Sequence, residues 1–425
     1  MTSYAYRLLC LLIFLFLHLL NDRPDILFRK PNTIILFLPI MKKYGLFFAT
    51  ALLVLSFSLQ AQSKKKSISF KDSLDKAFDL SDYIIDANGF VPVPYIITEP
   101  AVGGFGGALI PVFIKKRPAY LDSVNGRLEK TPVHPDITGG LGAYTVNNTW
   151  MLAGFRSGTL IKSRIKYIIG GGYGNINLSF YKTFDRSGEK ELKFNIKVLP
   201  IFLQASKRIG LSKWYVGPKY LFLKTAVKYN GDKRLDSLGK TLEVNSTVSQ
   251  LGAIIELDKR DNIFTPDNGL KVHVDGSISD DFLGSDYNYW RVNYFMFAYK
   301  PLSKKLVAGF RLDGQQAFGD PPFFMLPYLS MRGLPAVRYQ GKADILSEIE
   351  MRWDFVYRWS LMLFGGAGKA FDKWSDFDNA DWITSYGTGF RYLLARKFKL
   401  RVGIDVARGP DAWAYYIVFG SNWVK

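Results

Sequence analysis

At 425 residues the chain has room for one to three ordinary domains. It is 48% hydrophobic and 16% aromatic, yet its second half has no unbroken apolar stretch of the roughly 20 residues that a membrane helix needs. The formal net charge of +19 raises nucleic-acid binding. The basic residues, however, are scattered along alternating segments, so basic loops facing anionic lipid headgroups are the better reading and nucleic acid is set aside.

The N-terminus holds two apolar stretches. Leu8 to Leu20 has little basic flank. The second follows Met41 with Lys42 and Lys43, an apolar run from Leu46 to Leu59, and a small residue at Ala61, which is the layout of a secretory signal. Residues 41–61 are therefore read as a signal peptide and 1–40 as an upstream extension, with a true N-terminal anchor as the rival. Six basic and two acidic residues precede Gln62, so cleavage there would leave +15. It would also remove Cys10, the sole cysteine, leaving neither a disulfide framework nor a thiolate metal site.

Residues 62–88 form a periplasmic lead-in. Within it, Lys71 to Ser81 places Leu74, Ala77 and Phe78 on one helical face, which predicts a short plug or cap helix; an ordered linker is the alternative. No room is left here for soluble periplasmic repeats.

From residue 89 to 425 the chain alternates with period two. Leu192, Phe194, Ile196 and Val198 interleave with Lys193, Asn195 and Lys197. Leu270, Val272 and Val274 interleave with Lys271, His273 and Asp275. Ile349, Met351, Trp353 and Phe355 interleave with Glu348, Glu350, Arg352 and Asp354. Leu400, Val402 and Ile404 interleave with Arg401 and Asp405. Period two sends one set to each face of a sheet. Lys193 is accordingly expected in the lumen and Val272 in lipid. Trp214, Tyr215, Trp290, Trp359, Trp382 and Trp413 fall near segment ends, as the aromatic girdles of a membrane barrel do. The fold class expected is all-β: a transmembrane antiparallel barrel of about sixteen strands, running from candidates 89–98 and 102–114 to 399–408 and 412–421. The links Lys115–Asp136 and Gly319–Ala343 are expected as long loops of one end, opposite tight turns such as Leu302-Ser303-Lys304 and Tyr357-Arg358. Because open edges cannot face lipid, the first and last strands should meet.

No catalytic constellation appears. Gly103-Gly104-Phe105-Gly106-Gly107 has no following helix and reads as a bend in a strand. His134 and His273 fall on different elements, too few ligands for a metal. His273 beside Asp275 reads as a solvated polar pair. No G-x-S-x-G nucleophile context is present, so an outer-membrane enzyme is a third and weak reading; no cofactor and no metal are expected.

Two stretches carry more than architecture. One is Asp258, Arg260, Asp261 and Asn262, followed by Pro266 and Gly269. The other is Arg332-Gly333-Leu334 in a long loop, followed by a strand bearing Glu348, Glu350, Arg352 and Asp354. Together and in this order they resemble the bacterial surface antigen family, the BamA/TamA-type outer-membrane barrel domain shared with two-partner-secretion transporters. The resemblance runs from about residue 89 to the end. It differs in three places: Leu334 replaces an aromatic residue, Gly365 and Gly366 stand where an acidic partner is common, and the chain ends in Trp423-Val424-Lys425. The resemblance implies a barrel in the outer membrane whose loop arginine turns inward. That barrel would handle or insert polypeptide or lipid through a lateral seam, with outer-membrane lipid, client polypeptide or a periplasmic protein as partners. An inward Arg332 would find Glu348, Glu350 and Asp354 as charge-assisted partners; an outward one would simply be solvated. A passive solute channel or structural barrel is the alternative function. Pro92, Pro94 and Pro100 at the first strand fit a poorly zipped seam and equally a mere lead-in.

Overall fold

Strands that alternate apolar and polar residues can turn only their apolar face to lipid, and because open edges cannot lie there either, the sheet they form must curl until its edges meet. In the computed structural model the described residues are 69–423, except 87–89, 116–119, 125–126, 132–135, 185–187 and 232–242. The upstream extension, the signal segment and His134 lie outside the described residues.

A short helix α1 (Ser81–Asp86) precedes the strands. The first strands are β1 (Phe90–Ile97), β2 (Gly106–Lys115), β3 (Tyr120–Val124), β4 (Arg127–Thr131), β5 (Asp136–Thr145), β6 (Trp150–Leu160), β7 (Ile165–Phe184), β8 (Gly188–Arg208) and β9 (Trp214–Tyr229). The rest are β10 (Val244–Asp258), β11 (Gly269–Ser279), β12 (Tyr289–Pro301), β13 (Leu306–Gly319), β14 (Ala343–Val356), β15 (Trp359–Phe371), β16 (Ile383–Ala395), β17 (Leu400–Arg408) and β18 (Trp413–Phe419). Sixteen of them form one antiparallel sheet in chain order from β1 to β18, while β3 and β4 make a separate hairpin. The sheet is a nearly closed barrel. Among the described residues β1 and β18 share no ladder; the Thr98 hydroxyl donates to the Tyr415 carbonyl across their junction.

Following the strands up and down puts both ends of the barrel segment, and the tight turns after β12, β14 and β16, at one end. That is the periplasmic end in barrels of this type. The 320–342 loop lies at the opposite, extracellular end. The link between β2 and β5 does not join it, contrary to the sequence expectation: strand parity places that link at the periplasmic end, and its described residues pair as β3 and β4. Length alone does not report sidedness; the parity of the preceding strands does.

The predicted helix at Lys71–Ser81 is also absent. Asp72 accepts from the Leu74 N–H (3.0 Å) and Asp75 from the Ala77 N–H (3.1 Å), a Lys71–Phe78 bridge closes the loop, and Lys76 is left-handed. Asp side chains that bond their own backbone two residues on compete with helix formation, and the one helical turn starts only at Ser81.

The lipid face carries exposed Val274, Ile349, Leu363 and Ile404. Exposed Trp214, Trp353 and Trp359 ring the periplasmic end and exposed Trp290, Trp382 and Trp413 the other. Tyr215 does not join the girdle. Neighbouring Trp214 takes the outer face, so Tyr215 points inward, under the Lys166 ammonium at 3.7 Å. Lys193 likewise departs from expectation. Strands β7 to β9 run beyond the lipid belt, where water is outside and the apolar set turns inward. Leu192, Phe194 and Ile196 are buried with Phe180, Val227, Tyr229 and Val337, and Lys193 is exposed on the outside.

Candidate functional site

The long loop between β13 and β14 enters the barrel. Leu329, Met331 and Leu334 are buried with Leu346 of β14, so the loop tip is held by apolar burial, with Leu334 supplying the anchor. Gly333 sits at φ 90°, and a Cβ there would lie 2.9 Å from the Gly409 backbone nitrogen. Only a residue without a side chain turns so sharply against that backbone. Its N–H donates to the Tyr416 hydroxyl of β18 (2.9 Å).

This turn delivers Arg332 into the wall network, where its side chain is 1% exposed. One guanidinium nitrogen, Nη1, lies 2.8 Å from Glu350 and donates to Asp405 of β17 at 2.9 Å; Nε lies 3.8 Å from Glu348. The guanidinium also stacks 3.5 Å over the Phe364 ring. Nε and Nη2 make no hydrogen bond, so the contact is a single nitrogen shared by two carboxylates and no fork. The carboxylates have further cations. Arg311 of β13 donates to Glu348 (2.5 Å) and Asp313 (2.6 Å), and Arg391 of β16 holds Asp405 through both terminal nitrogens (2.6 and 2.9 Å).

Four predicted loop-facing residues thus divide. Glu348 and Glu350 meet Arg332. Arg352 and Asp354 lie nearer the periplasmic end, paired with each other (3.1 Å), and Asp354 also bonds Ser360 (2.6 Å). Period two gives a face and not a depth, and those two are the wrong depth for the loop. The acid opposite Gly365 and Gly366 is supplied from elsewhere: Gly366 makes room for the loop, since a Cβ would sit 3.1 Å from the Met331 sulfur, and Asp405 two strands away provides the charge. Asp405, Arg391 and Arg311 escaped the motif reading. Their signal was charge on the lumen parity of otherwise apolar strands.

The Asp258–Gly269 stretch is the turn between β10 and β11, and it crosses the periplasmic mouth. Asp258 holds Arg260 through two nitrogens (3.0 and 2.8 Å). Asp261 caps the N–H groups of Asp267 (2.9 Å) and Asn268 (3.1 Å), and Asn262 those of Phe264 (2.8 Å) and Thr265 (2.9 Å). Gly269 at φ 124° lets the chain pass, because a Cβ would lie 2.4 Å from the Lys259 carbonyl. The turn reaches the far wall. Asn262 donates to the Phe398 carbonyl (3.0 Å), Lys399 pairs with Asp261 (2.9 Å) and Asp267 (2.6 Å), and Arg352 donates to the Pro266 carbonyl (3.3 Å). Burial opposes ionisation of Asp261 and Asp267, but the Lys399 ammonium outweighs it and holds both below the ordinary carboxylate range.

The C-terminal residues fold inward as well. Trp423, 2% exposed, packs on Phe297 and Tyr299 of β12 with ring centroids at 6.0 and 5.8 Å. Between this tail, the loop and Glu99 remains a lumenal cavity of about 300 Å³, lined also by Arg311, Tyr328 and Tyr416. His273 bridges Asp275 (3.1 Å) and Glu256 (3.4 Å) on the inner face of β11 and stacks on Phe295. Among the described residues no group of three or more His, Cys, Asp or Glu is arranged for a metal ion.

Beneath the barrel, the lead-in is clasped to the periplasmic turns. Arg358 meets Asp72 (2.6 Å), Asp75 (2.5 Å) and Asp79 (2.9 Å), Arg396 also holds Asp72, and Lys397 reaches Asp82 (2.7 Å). Hydrogen bonds from Arg396 to Asp72 and from Arg358 to Asp75 pull those carboxyls down. At Asp79 burial works the other way but is outweighed by bonds from Ser81 and Arg358. The clasp spans the junction of the barrel, since the lead-in precedes β1 while Arg358 belongs to the β14–β15 turn and Arg396 to the β16–β17 turn, on the β18 side.

No protein-family model and no curated protein matches the chain. Solved structures do match in shape. BamA from Haemophilus ducreyi lacking POTRA domains 1–3 superposes at TM-score 0.50 with 13% identity, over 78% of this chain and 70% of that one. CdiB from Escherichia coli gives 0.52 with 8% identity, over 77% and 62%, and CdiB from Acinetobacter baumannii 0.50 with 12% identity, over 78% and 59%. The chain has the fold of these outer-membrane barrels. It spans less than two thirds of the length of either CdiB chain.

Proposed function

We propose that this barrel handles polypeptide or lipid at the outer membrane by parting the β1–β18 junction, with the 320–342 loop as an internal plug. The observation that carries this is the junction itself. Every other strand pair has a backbone ladder, whereas here the Thr98–Tyr415 bond stands alone among the described residues. Pro92 and Pro94 share one parity, so both missing donors fall on the same edge of β1. Strand edges with free backbone groups can template an incoming strand. A passive channel is the poorer reading, because loop, turn and tail all occupy the lumen.

The test is a lock. Cysteines replacing Thr98 and Tyr415 should cross-link on oxidation. Liposomes carrying the reduced protein should then speed the folding of an added unfolded outer-membrane barrel, and the oxidised form should not. Equal acceleration by both forms, or none by the reduced form, defeats the proposal for polypeptide clients.

A further inference from the structure

The outer wall of the barrel changes character along β8 and β9. In the lipid belt their outward residues are apolar: Ile201 and Leu203 on β8 are exposed, and Phe222 of β9 lies opposite Ile201. Four residues beyond Ile201 toward the extracellular end, about 13 Å along the strand, the same face becomes basic. Lys197, Lys224 and Lys228 are all exposed there. Their register draws them together. Lys197 lies opposite Ala226, and Lys224 and Lys228 flank Ala226 on the same strand face. Residues so placed are direct or diagonal cross-strand neighbours, within reach of long side chains.

Three like charges in one triangle repel, and none of the three makes an ion pair within the described residues. Carboxylates nearby are turned elsewhere. Glu191 is the partner of Lys193 at 3.7 Å, and Glu243, across from Lys228, accepts the Tyr229 N–H at 3.0 Å. The adjoining outward residues on β7 are Asn175 and Asn177; Asn177 accepts from Asn195 at 2.8 Å. The result is a hydrogen-bonding, cationic surface at the rim of the apolar belt. Water alone would favour spreading these charges; an anion fixed at that depth would favour gathering them.

We propose that Lys197, Lys224 and Lys228 form a binding site for the phosphate of an outer-leaflet lipid headgroup, with the acyl chains lying along Ile201, Leu203 and Phe222. The depth selects the source. A free phosphate has no reason to sit at the edge of a lipid belt, whereas a phosphorylated glycolipid places its charge there and its chains below. Each lysine near an anionic surface contributes about fivefold in affinity, so removing three should lower retention about a hundredfold.

The test compares the intact protein with the variant Lys197→Gln/Lys224→Gln/Lys228→Gln. The control is Lys304→Gln/Lys305→Gln, in the periplasmic turn after β12. Each is reconstituted in neutral phosphatidylcholine with a trace of phosphorylated lipid A, of its dephosphorylated form, or of inorganic phosphate. Lipid retained on the purified protein and the temperature at which the barrel loses its heat-modifiable gel mobility are both measured. The wild type and the control should retain and be stabilised by the phosphorylated lipid alone, and the triple variant should lose that preference while folding normally. Equal retention by the triple variant, or equal retention of the dephosphorylated lipid, overturns the site. Stabilisation of equal size by inorganic phosphate makes it a free-anion site and overturns the lipid assignment.

Discussion

Replacing Arg332 by Ala tests the plug most directly. The cation is withdrawn from Glu350 at 2.8 Å and Asp405 at 2.9 Å, with Glu348 at 3.8 Å. These carboxylates are 9%, 0% and 0% exposed, so they have left bulk water and depend on the cations around them. Arg311 and Arg391 remain, but with Asp313 in the cluster they leave two cations against four anions. Removing one member of a buried pair costs about 3–5 kcal/mol, against about 0–1 kcal/mol at an exposed site. Arg332→Ala should lie near the lower bound, because the two arginines that stay still screen the acids. In Arg332→Lys one nitrogen can serve both Glu350 and Asp405 as Nη1 does, so the loss should be only the stacking on Phe364, about 1–2 kcal/mol. Swapping charges with Glu350 should not restore stability, since a Glu at 332 would face Asp405 and Glu348. The measurements are the unfolding temperature of the barrel by heat-modifiable mobility, which should fall, and the single-channel conductance in planar bilayers, which should rise as the loop tip loses its ion pairs and is held by apolar burial alone. Wild-type melting and conductance in Arg332→Ala would refute the reasoning.

The clasp of the lead-in should depend on acid. Asp72, Asp75 and Asp79 are all held below the ordinary value, so their stabilisation is complete above about pH 4 and is lost as pH falls from there toward their depressed values. Limited proteolysis of 69–86 should therefore accelerate only below about pH 4, while Arg358→Ala should show the fast rate at neutral pH; a wild-type rate in that variant removes the clasp. On intact cells a membrane-impermeant thiol reagent should label Lys193→Cys quickly and Val272→Cys slowly, and the reverse order would invert the face assigned to β8.

Much of the barrel was legible because lipid makes alternation compulsory. All sixteen strands of the main sheet fall within a few residues of the candidates, from β1 at Phe90–Ile97 to β18 at Trp413–Phe419. What failed was what period two does not encode. It gives the face of Arg352 and Asp354 but not their depth, and both serve the periplasmic end rather than the loop. It says which residues share a side but not whether water or lipid lies beyond, so it cannot show that Lys193 faces out where β8 has already left the membrane. It carries nothing about backbone capture by side chains, so between a helix and an ordered linker it cannot choose for 71–81, where the aspartates tie loops and grip Arg358.

The contacts outside the sheet ladders fall unevenly, and their distribution bears on how the junction could part. The loop tip, periplasmic turn and clasp fasten to the wall from β14 to β18, through Glu350, Phe364, Asp405 and Tyr416 for the tip, Arg352, Phe398 and Lys399 for the turn, and Arg358 and Arg396 for the clasp, while the flanks of the loop pack on β7 to β9 through Phe323 and Val337. That side of the junction is braced. The β1 side has fewer ties. Its periplasmic start follows directly on the clasp, where three aspartates meet one buried arginine. Its far end is held by the Thr98 hydroxyl and by Glu99 accepting the Ala336 N–H at 2.9 Å. Several charge-assisted bonds converging on Arg358 resist separation more than a single hydrogen bond, worth about 1 kcal/mol, does. Parting of the proposed kind should therefore begin at the extracellular end of β1, where Glu99 accepting the Ala336 N–H is the tie between that strand and the loop.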